Sequence, residues 1–143
     1  HTLQNILSTE DYTINLLVKG MEGKAHQTSA RYPKSVSEFD ACGLTESYLE
    51  GCKAPFVEES SVKIGMKFRE KIDIESNGTH LIVGEITKIQ LPEFILNKDG
   101  FVDLEAIETI ASSGVDAYYS VKLLARYQYA KANQELKKIK NDE

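Results

Sequence analysis

Two cysteines, Cys42 and Cys52, are all the thiol this chain carries. A structural zinc takes four ligands, commonly in close pairs. His1, His26 and His80 are too scattered to supply a second pair. The spacing of the cysteines permits a disulfide, but a chain in a reducing compartment keeps two ordinary thiols. Long apolar runs are missing too: nothing approaches the roughly 20 residues that a membrane-spanning helix needs. No signal-peptide pattern is present, and a cytoplasmic location is the expectation. Positive charge is scarce, with a formal net charge of −5. That disfavours nucleic acid or an anionic membrane as the main partner. The glycines form neither a P-loop nor a G-x-G-x-x-G fingerprint. There is no G-x-S-x-G, and no Ser-His-Asp set can be assembled from local spacing.

What is there suits one domain with one core: 143 residues, 41% hydrophobic. "HTLQNIL" reads as a helix start with Thr2 as N-cap and Asn5 three residues on; Leu3, Ile6 and Leu7 share a face. "DYTINLLVKG" reads as a strand ending at Gly20, and "SVSEFDACGL" as a short helix capped by Ser35 or Ser37 and stopped by Gly43. "TESYLEGCKAPFVEES" is irregular, the kind of long connection that often carries function. "SVKIGMKFREKIDIE" and "NGTHLIVGEITKIQL" alternate and are joined by an Asn-Gly turn, which predicts an antiparallel hairpin. Gly84 within the second strand predicts a bulge or a close backbone approach. A helix capped by Asp103 and ended at Gly114 is expected next. An aromatic segment with Tyr127 and Tyr129 follows, and residues 131–143 form a polar, helix-prone tail. Four strands are too few for a closed barrel, so either a partner covers the open edge or strands lie upstream.

Five segments together resemble the flavin-reductase-like, FMN-binding split-barrel family: "TLQNIL…DYTINLL", "QTSARYPKSVSEFDACGLT", "KAPFVEESSVKI", "NGTHLIVGEI" and "SSGVDAYYSVKLLARYQYA". The resemblance runs from Thr2 to about Ala130. It implies a mainly β fold, a β-barrel with peripheral helices. Residues 1–130 would be the C-terminal portion of one domain whose first strands lie upstream of Thr2. It further implies a homodimer that holds FMN near the subunit interface and takes electrons from NADH or NADPH.

The same resemblance nominates site residues. Thr2 and Asn5 match a family run at the helix that meets the FMN phosphate, and His1 stands where Asp is usual. Unpaired N–H groups at a helix start bind phosphate without a particular side chain, although Thr2 as a plain N-cap explains the residue equally. Thr28 and Ser29 match a Thr-Ser pair that offers short donors to the flavin ring rim or ribityl chain. Lys53, in a Lys-x-Pro loop, would set a cation beside the N1–O2 edge of the flavin; the plainer reading is a charged loop residue. Asp116 and Tyr118 would lie near the ring, with Tyr118 covering it or simply half-buried in the core. No acid or base is required: laying nicotinamide against flavin is a problem of orientation. The leading expectation is an NAD(P)H:flavin reductase, with an FMN-binding electron carrier or a non-flavin interaction protein as alternatives.

Overall fold

The computed structural model describes residues 1–139. Its first helix, α1 (Thr2–Thr9), buries Ile6, half-buries Leu3 and leaves Leu7 exposed. His1, not Thr2, is the capping position, and no side chain caps the helix: Thr2 is already its first helical residue. The helix stops where Glu10 turns left-handed (φ 58°), its N–H donating to Ile6 O at 2.8 Å. Strand β1 (Asp11–Asn15) leaves directly from that turn.

Two short helices follow, α2 (Glu22–Gln27) and α3 (Glu38–Cys42). Ser37 is the capping position of α3, and Gly43 ends it in the left-handed region at φ 66°, as the sequence predicts. The irregular stretch after it forms the small sheet β2 (Glu46–Ser47) with β3 (Phe56–Val57). Strands β4 (Lys63–Ile74) and β5 (Thr79–Gln90) make the long antiparallel hairpin around the Asn-Gly turn. β4 is the middle strand of a three-stranded sheet in the order β1–β4–β5.

Alternation along β4 is only partly kept. Lys63, on the face opposite Val62 and Ile64, is buried, and its ammonium lies 3.0 Å from Glu58. The register slips between Gly65 and Met66 and again between Phe68 and Glu70, and each slip exchanges the faces. Gly84 sits opposite Phe68, beside the second slip. A Cβ there would run into the Tyr12 hydroxyl and lie 2.8 Å from Tyr12 Cζ. The strand glycine therefore marks a close approach.

The helix expected over 103–114 does not form. Asp103 does cap a turn, its carboxylate accepting from Glu105 N–H at 3.0 Å and Ala106 N–H at 3.2 Å. The turn ends where Glu108 goes left-handed at φ 50°. Beyond it Thr109 bridges to Val18, and Ile110 N–H donates to Leu17 O at 3.0 Å. Pairing with the chain beyond β1 overrides helix propensity, as the β-branched run Ile107, Thr109, Ile110 favours. The hairpin β6 (Ile110–Ser113) with β7 (Ala117–Ser120) follows.

The tail differs as well. Residues 131–134 make a turn, and β9 (Lys138–Ile139) pairs back on β8 (Arg126–Tyr127). This hairpin spans residue 130, where the sequence suggests a boundary; residues 140–143 of the tail lie outside the described residues. The most buried side chains are Phe56 and Ile95, both 0% exposed, and Val62, Met66, Ile6 and Met21 are buried as well. Among the described residues the sheets do not merge into a closed barrel. The architecture is mainly β with peripheral helices, a split barrel.

Candidate functional site

Strand β1 carries polar side chains at every second position: Asp11, Thr13 and Asn15. All three point to one segment. Lys53 N–H donates to Asp11 Oδ2 at 2.9 Å, the Thr13 hydroxyl donates to Pro55 O at 2.7 Å, and Val57 N–H donates to Asn15 Oδ1 at 3.1 Å. Asn15 Nδ2 also donates to Thr13 Oγ1 at 2.9 Å, which locks both rotamers. The loop 53–57 thus follows β1 without being a regular strand along most of its length. Its anchor is Phe56, which is fully buried between Pro55 and Val57, the two positions whose backbone the strand holds.

Asp11 is the electrostatic centre of this arrangement. Its carboxylate is buried, and Lys67 Nζ lies 3.1 Å from Oδ1. The Lys53 amide holds the carboxyl below the usual range, against the cost of burial and with help from the Lys67 ammonium. The same pairing raises Lys67. Asp11 is therefore a fixed anion that serves the loop.

Between α1, β1, α3 and this loop lies a cleft of about 530 Å³. Thr2, Asn5, Thr28 and Lys53 all line it, so half of the site residues nominated from sequence converge on one place. Ile6, Phe39, Leu44, Pro55 and Val57 supply its apolar surface. At the α1 end the first helical amides have no intrahelical acceptor, and the first turn holds no acidic residue. Lys53 forms no ion pair among the described residues.

The other nominated residues fall elsewhere. His1 lines a second cleft of about 290 Å³, which meets the first across Thr2, Asn5, Glu38 and Phe39. Ser29 is exposed beside Thr28 and lines neither cleft. Asp116 is exposed in the β6–β7 turn, and Tyr118 contacts α2, its hydroxyl 3.2 Å from His26 Nδ1. Asp11, Thr13 and Asn15 went unnominated, although their i, i+2, i+4 spacing of short polar side chains on one strand face was a readable signal.

Comparison with known proteins decides the family. A model of the flavin reductase like domain matches residues 1–103. The chain belongs to that family. It is similar to the solved structure of a candidate flavin reductase with split barrel domain from Shewanella frigidimarina NCIMB 400. The identity is 47% and the TM-score 0.88, over 91% of this chain and 66% of that one. Flavoredoxin of Desulfovibrio vulgaris (Miyazaki F) shares the fold at 24% identity, with a TM-score of 0.72 over 93% of this chain and 68% of that one. An uncharacterized protein of Aquifex aeolicus (strain VF5) is 27% identical over 117 residues, 82% of this chain and 59% of that protein. The flavin reductase like chain described here thus spans less than two thirds of the first two relatives it matches, 59% and 66% of their lengths.

Proposed function

We propose that this chain forms the flavin-binding part of an FMN-dependent oxidoreductase, most simply an NAD(P)H:flavin reductase. The observation that carries the reading is the convergence of Thr2, Asn5, Thr28 and Lys53 on one cleft between α1 and the loop pinned by β1. The donor set fits FMN. Its size falls within the roughly 300–1,000 Å³ usual for cofactor sites. Free helix-start amides and the Thr2 hydroxyl suit a phosphate. Thr28 adds a hydroxyl for a ribityl chain, and the apolar wall of Ile6, Phe39, Leu44 and Pro55 suits a flat ring.

FMN held by Thr2, Thr28 and Lys53 would supply the redox chemistry between a nicotinamide donor and a flavin or other acceptor. The protein's part is to hold and orient. Asp11, Thr13 and Asn15 fix the backbone of 53–57, so that Lys53 presents its charge from a rigid base. Ser29, Asp116 and Tyr118 keep a place in this reading through the family resemblance, His1 through the neighbouring cleft. Apolar side chains left exposed on β5, including Ile86 and Ile89 at 55% each, support a homodimer. The free thiols of Cys42 and Cys52 accord with a cytoplasmic location.

The test is anaerobic mixing of FMN-loaded protein with NADH or NADPH while flavin colour is followed. Bleaching that is fast relative to free FMN supports the reductase. Bound flavin that nicotinamide leaves coloured, but that a chemical reductant bleaches, points to an electron carrier.

A further inference from the structure

Among the described residues, the charged side chains on the main cleft are Asp11, Glu38 and Lys53. Glu38 and Lys53 are exposed, so water and salt screen them, whereas Asp11 is buried. The least screened charge on the cleft is therefore an anion. Holding the Lys53 amide needs only an acceptor, which a neutral Asn would supply as well, so the pin does not account for a full charge at the cost of burial. Resting on the flavin reading above, we propose that the Asp11 carboxylate biases a bound flavin toward its oxidised form, and that Lys67 sets the strength of that bias.

Three observations carry this. The first is position: Asp11 lies on the cleft that Thr2, Asn5, Thr28 and Lys53 share. The second is rigidity. Both carboxylate oxygens are engaged, Oδ2 by Lys53 N–H at 2.9 Å and Oδ1 by Lys67 Nζ at 3.1 Å, so the charge stays ionised and in place. The third is the balance of charge. Lys67 faces Asp11 across the β1–β4 ladder and does not line the cleft. Its ammonium is shared with Glu10, 3.6 Å away, so two carboxylates lean on one cation and the group keeps one negative charge. Lys53 acts in the opposite sense, from its exposed position. A flavin that takes up a hydride gains two electrons and one negative charge. A poorly screened carboxylate on the same cleft disfavours that state by repulsion. The reduced flavin then passes its two electrons to an acceptor more readily.

The test measures the affinity of the full chain for oxidised FMN and, anaerobically in dithionite, for reduced FMN, and repeats both with Asp11→Asn and with Lys67→Gln. Asp11→Asn keeps an acceptor for the Lys53 amide and removes the charge. It should raise the affinity for reduced over oxidised FMN by about tenfold, an upward shift of about 30 mV for a two-electron couple. Lys67→Gln strips Asp11 of its counter-charge and should move the same ratio the other way. Opposite signs separate charge from a loosened loop, which weakens both forms of FMN together. If Asp11→Asn does not fold, the Lys67→Gln ratio decides alone: a fall supports the bias, and a rise or no change overturns it. A ratio that neither substitution moves, or that both move the same way, overturns the bias and leaves the flavin reading standing. An unsubstituted chain that binds neither form of FMN overturns the flavin reading, and the bias falls with it.

Discussion

The cleft wall and the β4–β5 hairpin are built on different terms. Along the hairpin, backbone pairs with backbone over eleven matched positions, and apolar side chains such as Leu81, Ile86 and Ile89 stand exposed. At the cleft wall, side chains pair with backbone: Asp11, Thr13 and Asn15 each hold one position of the 53–57 segment. A ladder tolerates changes in its side chains, because the bonds it depends on are common to all residues. A wall pinned by three particular side chains does not. The difference separates a part that presents surface from a part that holds geometry.

The largest effect is expected at the pin. Asp11→Ala removes the acceptor of the Lys53 amide and the partner of Lys67, and leaves a part-buried donor unpaired. It should lower unfolding free energy by about 2–3 kcal/mol and weaken FMN binding, read by urea denaturation and flavin titration. An unchanged midpoint would mean that the loop needs no pin. Next comes the contact between the two regions, where Tyr12 of β1 lies over Gly84 of β5. Gly84→Val should cost about 1–3 kcal/mol, and Tyr12→Ala should recover part of it in a double-mutant cycle. Simple additivity would deny the contact.

Acid should separate the regions more gently. Asp11 is depressed in the folded state, so its contribution is present above its unfolded value, near pH 4, and fades as pH falls through the folded one. Asp11→Asn should flatten the acid limb of the stability profile, while substitutions at exposed apolar hairpin positions such as Leu81 leave its shape alone. The smallest effect on folding is expected on the hairpin surface. Ile86→Lys should change stability by no more than about 0.5 kcal/mol yet shift the sedimentation coefficient toward monomer. A monomer before and after would remove the hairpin from any interface.

The same contrast explains what was legible in the sequence. The hairpin announced itself through alternation, Asn77-Gly78 and Gly84, because those signals are local. α1, β1 and α3 are likewise readable from periodicity and, for α3, from its Ser37 cap and Gly43 stop, although α1 is capped at His1 and not Thr2, and β1 ends at Asn15 and not at Gly20. The turn at 103–108 was read as a helix because Asp103 caps it as it would cap one; only the pairing of Thr109 with Val18, distant in sequence, decides otherwise. The tail failed for a similar reason, its helix formers being overruled by pairing with Arg126 and Tyr127. Within the cleft, Thr2, Asn5, Thr28 and Lys53 were reached through family likeness. Asp11, Thr13 and Asn15 were passed over because they work on a segment some forty residues away.

The central claim is that the start of α1 and its cleft receive the phosphate end of a flavin. Calorimetric titration of the protein with FMN and with riboflavin, which differ by that phosphate alone, tests it directly. FMN should bind about a hundredfold tighter than riboflavin, with the advantage shrinking as salt is raised. Equal affinities, insensitive to salt, would contradict the account.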